Sequence, residues 1–71
     1  MPDSVYRVTE IIGTSTESWE QAARNAVETA SVTVRDLRIA EVVKLDVTID
    51  DGKLSTYRAR LNISFKYDRA D

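Results

Sequence analysis

The chain has 71 residues, ten Lys and Arg against twelve Asp and Glu, and a formal charge of -2. It contains neither Cys nor His, which excludes disulfides, ordinary zinc sites, thiolate nucleophiles, His-based triads and the common kinds of haem ligation. The slight acidic balance argues against a nucleic-acid partner, and no apolar run approaches the roughly 18 residues of a membrane span. A single domain over 1–71 is expected, with its folded core from about 5 to 67. So short a chain buries too little surface to be comfortably stable alone. With disulfide and zinc both excluded, self-association is the remaining staple, and a homo-oligomer is expected. The start Met1-Pro2-Asp3-Ser4 has no signal-peptide character, so the expected location is cytoplasmic.

Val5 to Ile12 is rich in β-branched and aromatic residues and reads as a strand, broken at Gly13. Thr14 with Glu17 has capping-box spacing, and Ser15 is an equal candidate for the helix cap. From Trp19, the apolar residues Ala22, Ala23, Ala26, Val27, Ala30, Val34 and Leu37 draw one stripe along a helix. Its central alanines require that whatever packs there comes close to the helix backbone.

Arg38 to Ile49 is too β-branched for a helix and reads as a strand, ended by the turn residues Asp50-Asp51-Gly52. Tyr57, Ala59, Leu61, Ile63, Phe65 and Tyr67 then alternate with Arg58, Arg60, Asn62, Ser64 and Lys66, an amphipathic strand. The last four residues read as a frayed tail. A two-residue turn would set Leu45 against Arg58 and mix the faces. A three-residue loop with Gly52 left-handed instead pairs Leu45 with Tyr57, Val43 with Ala59 and Val47 with Ser55. The expected fold class is α+β: β-α-β-β, a three-stranded antiparallel sheet wrapped around one helix. One helix cannot cover the sheet, and the polar face of the last strand suits a wet interface or a lined cavity in a hollow oligomer.

The combination of Ile12-Gly13-Thr14-Ser15, the Ala-rich helix, Ala40-Glu41-Val42 and the alternating strand from Tyr57 to Phe65 resembles the dodecin family. The likeness runs from Val5 to about Tyr67. It implies a hollow homododecamer that stores or sequesters a flavin (riboflavin or FMN) without catalysis. Flavin-binding members carry a stacking Trp just before the Ala-Glu-Val segment, where this chain has Ile39. They carry a Gln after the Tyr of the last strand, where it has Arg58. Ile39 forfeits ring stacking, and a guanidinium only donates where Gln also accepts. Both departures weigh against typical flavin binding, and some members lacking the Trp are associated with calcium. Three readings follow: a cation-binding particle, a flavin store with altered contacts, and a purely structural cage.

Among the remaining candidates, Trp19 reads as core or subunit-contact packing, and Tyr57 and Tyr67 as core. Asp46 and Glu41 interrupt an apolar strand. Symmetry could gather such carboxylates as oxygen ligands for a cation such as calcium, with Asp46 the candidate because the family's flavin binders also carry the Glu. Salt bridges to Arg58, Arg60 or Lys44 are the simpler role for either acid. No spacing selects a catalytic pair, so no enzymatic activity is expected.

Overall fold

The computed structural model describes residues 5–66. Tyr67 and the four residues assigned to a tail lie outside that range. The elements are β1 (Tyr6–Ser15), α1 (Trp19–Thr33), β2 (Leu37–Asp50) and β3 (Lys53–Lys66), in one antiparallel sheet of order β1-β3-β2. This is the β-α-β-β arrangement expected. The most strictly alternating strand, β3, takes the centre.

The helix lies on β1 and β3 and barely touches β2. Ala22 and Ala26 meet Ala59, Leu61 and Ile63 of β3 in a small buried core, edged by Ile11, Ala23, Val27, Ala30 and Leu37. The alanines do bring helix and sheet together. Gly13 does not break β1 as expected; it stays in the strand, paired with Ala59. A Cβ there would run into the Ala22 carbonyl oxygen and sit 2.8 Å from the Ala26 Cβ. Gly13 is the seat of the helix, not a stop signal.

The helix cap also differs from expectation. β1 continues through Thr14 and Ser15, and the cap is Ser18, whose hydroxyl accepts from the Gln21 amide at 3.0 Å. Ser15 instead accepts from the Glu17 amide at 2.9 Å, closing the turn between strand and helix. At the other end the apolar stripe outruns the helix. Val34 closes it, donating to Ala30 at 2.9 Å; Asp36 is left-handed with φ 60, and Leu37 opens β2. The β-branched run Val32-Thr33-Val34 favours that early exit.

The β2–β3 hairpin restores its face matching by a different device. The turn is two residues long, Asp51 and Gly52, both left-handed at φ 54 and 74, with Asp50 opposite Lys53. A register shift after Ile49/Leu54 leaves Ser55 extra and pairs Leu45 with Ala59 and Val47 with Tyr57, not Tyr57 and Ser55 as expected. The one-residue correction sits in β3 as a bulge, not in the loop. Further shifts at Val43 and Arg38 change the phase of β2 again; Val43 thus has no partner where Ala59 was expected. No helix among the described residues is long and apolar enough to cross a membrane.

Candidate functional site

Side chains directly opposite one another on neighbouring strands share a face. The register therefore puts Thr56, Arg58, Arg60, Asn62 and Ser64 of β3 on the side away from the helix. Facing them from β2 are Thr48, Asp46, Lys44, Glu41 and Ile39 in turn. From β1 come Thr14, Ile12, Glu10 and Val8. This face is the polar one, and most of its charges lie in the Lys44/Arg60 and Asp46/Arg58 rungs.

Two candidates from the sequence meet here. Arg58 Nε donates to Asp46 Oδ1 at 2.8 Å and its Nη2 donates to Oδ2 at 2.9 Å, a two-pronged fork. Both side chains keep about a third of their surface in water, 34% for Arg58 and 36% for Asp46. Of the three cations weighed as salt-bridge partners, Arg58 is the one that hydrogen-bonds Asp46; Arg60 lies 3.9 Å from Glu10 instead. Glu41 stands opposite Asn62. The hydrogen bonds from Arg58 hold the Asp46 carboxyl below its ordinary range, against the opposing effect of desolvation, with the charges of Arg58, Lys44 and Arg60 adding to the lowering. Asp46 correspondingly raises the pKa of Arg58.

The sequence reads Trp19 as core or subunit-contact packing. It is 40% exposed and does something more definite. Its Nε1–H donates to the Asp46 carbonyl oxygen at 3.0 Å, and its ring meets Tyr57 edge-on, centroids 5.0 Å apart at 73°. The first turn of the helix is thereby tied to the backbone of the residue whose side chain holds Arg58. No local pattern announces this bond, which spans 27 positions; the tie shows only once the hairpin register is known.

Ile39 is not brought to this cluster. It faces Ser64, six residues along β3 from Arg58, so the two are roughly 20 Å apart at about 3.4 Å per residue. Ile39 is 62% exposed and lines a shallow cleft of about 130 Å³ with Val27, Leu37, Arg38, Ala40 and Ile63. That is small beside the roughly 300–1,000 Å³ of small-molecule pockets. Within one chain these residues do not fit a flavin: the platform is aliphatic and far from Arg58, which is already engaged. Nor does one chain fit a bare cation. Among the described residues no group of three or more acidic side chains gathers to hold a metal ion, and both Asp46 oxygens accept from Arg58.

The lowered pKa carries an expectation for acid stability. Folded Asp46 holds its proton less tightly than the unfolded chain does. Its contribution is therefore complete above the ordinary carboxylate value of about 4 and fades as pH falls through the lowered folded value. Urea midpoints of wild type and Asp46→Asn are expected to differ most near neutrality and to converge in strong acid. A gap independent of pH would contradict the fork.

A wrapped β-α-β-β subunit with a polar outer sheet face and an uncovered apolar edge defines a small assembling module of the dodecin kind. The chain belongs to the dodecin family, whose model, described as Dodecin, matches residues 5–68. It is 51% identical over 63 residues to the calcium dodecin of Mycobacterium tuberculosis, covering 89% of each protein. It is 33% identical over 64 residues to the dodecin of Thermus thermophilus, covering 90% of this chain and 93% of that one. Among solved structures, the dodecin from Streptomyces coelicolor superposes with a TM-score of 0.91 at 38% identity, over 99% of this chain and 100% of that chain. A crystal structure of the Mycobacterium tuberculosis calcium dodecin, described as calcium-chelating with a novel calcium-binding site, superposes at 0.82 with 49% identity, over 96% of this chain and 97% of that one.

Proposed function

We propose that this chain is the subunit of a non-catalytic dodecin-type binding particle, a homododecamer, and that its ligand is a divalent cation such as calcium. The observation that carries the cation reading is the 51% identity to a calcium dodecin. The Asp46–Arg58 fork weighs against the flavin alternative, since Arg58, standing where flavin binders have Gln, is committed to a carboxylate. One chain offers too few oxygens for the six to eight that calcium takes, so the ion belongs at a junction where several copies each present Asp46. The role is sequestration: the site binds and releases, with no bond made or broken.

The test is thermal unfolding of the assembled protein with calcium and with a chelator. Calcium at a hundred times its dissociation constant should add about 2.7 kcal/mol to wild type, and Asp46→Asn should show no calcium response. Equal responses in both proteins would exclude Asp46. No response in either would favour the structural cage.

A further inference from the structure

We infer that the apolar strip on the helix side of the β2–β3 hairpin is the seat of a second copy of this chain. The inference rests on the homo-oligomer reading above, not on the identity of any ligand, and adds the surface through which copies meet.

The strip begins where the chain's own core stops. Val42 and Leu45 stand opposite Leu61 and Ala59, which are buried under the helix, so they continue the core sideways on the same face of the sheet. Alternation along β2 from Leu45 through Val47 puts Ile49 on that face as well, with Leu54 opposite it. The helix covers none of them fully: Val42 is 50% exposed, Leu45 48%, Leu54 51% and Ile49 71%. Trp19 flanks the strip, its indole N–H bonded to the Asp46 carbonyl oxygen and its ring edge-on to Tyr57.

Size and charge select the occupant. These side chains bare on the order of 300–500 Å² of apolar surface, the scale at which a patch marks a binding face. A stable pair buries about 800 Å² per partner, somewhat over half of it apolar, so the strip supplies most of the apolar share. Between Val42 and Ile49 the charged side chains are Lys44 and Asp46, and both stand on the other face with Arg60 and Arg58. A second copy therefore meets no like charge across the strip, and a foreign partner finds no charge there to recognise. The subunit also depends on its cover, because a chain this short buries too little surface to hold its fold alone. Such a partner has to be present whenever the chain is. Another copy always is.

The chain has no Cys, so a single introduced thiol reports the cover directly. The experiment labels Val42→Cys and Leu45→Cys, each in the assembled full-length protein, with a charged, water-soluble thiol reagent, and compares each rate with that of the same variant unfolded in urea. A subunit with nothing on the strip leaves both positions half exposed, which corresponds to about twofold slowing. Beneath a second copy, both thiols are expected to label at least about tenfold more slowly than in the unfolded chain. Less protection at either position, in a particle that light scattering shows to be assembled, overturns the seat and leaves the homo-oligomer reading standing. Protection that appears only when a different protein co-purifies gives the strip to a foreign partner and also overturns it. A wild type that scatters as an 8.0 kDa monomer ends the homo-oligomer reading and this inference with it. Should either variant fail to assemble, Leu54→Cys is labelled in its place and read by the same rule.

Discussion

Gly13→Ala is expected to destabilise the fold by about 3 kcal/mol or more, the upper end of overpacking costs. The added methyl would meet the Ala22 carbonyl, which is helix backbone and has no rotamer to yield, and the Ala26 Cβ at 2.8 Å. Relief requires lifting the helix from β1, which opens the Ala22–Ala26 contact with Ala59 and Leu61 that makes up most of the buried core. Gly52→Ala provides the contrast. Nothing lies within 4 Å of a Cβ there, and only the left-handed φ of 74 opposes it, so a cost of about 1–2 kcal/mol is expected. Chemical unfolding followed by circular dichroism ranks the two. A Gly13→Ala protein as stable as Gly52→Ala would mean that the helix is not seated on β1.

The second large effect concerns the free subunit, which should not persist as a folded monomer. Twelve large hydrophobic residues among those described are exposed, several of them at half their surface or more, Ile49 at 71% among them. Val42 and Leu45 are opposite Leu61 and Ala59 on the helix side of the sheet, yet the chain's own helix leaves them bare. The radius of gyration is 14.8 Å, against roughly 11 Å for a compact chain of this length. An 8.0 kDa protein with so open an apolar surface has no reserve of stability to carry it alone. Light scattering of dilute protein is expected to report a mass many times 8.0 kDa, about 96 kDa for the proposed dodecamer. A cooperatively melting 8 kDa species at micromolar concentration would contradict this.

Much of the fold was legible because its strongest signals are periodic. The alternation from Tyr57 to Phe65 marks a strand with one buried face, and the alanine stripe marks a helix that must lie close. What the pattern does not carry is phase between strands. The hairpin needed one extra residue to match its apolar faces, but whether that residue sits in the loop or as a bulge at Ser55 depends on twist and turn geometry. Gly13 was ambiguous for a similar reason: a glycine reads as a break until a helix is known to rest on it. At the site, Asp46 and Arg58 were both visible as candidates, and their pairing was one of several salt bridges allowed by composition. Only the register selects it. The Trp19 tie was beyond reach, since it joins a helix start to a strand backbone through the tertiary fold.

What the assembled particle carries when it is purified with no ligand added separates the cation from the flavin reading. Elemental analysis of that protein, together with its visible absorbance spectrum, asks the question directly. A colourless protein that retains calcium is expected, with the metal lost in Asp46→Asn. A yellow, metal-free particle with a flavin spectrum would overturn the cation reading.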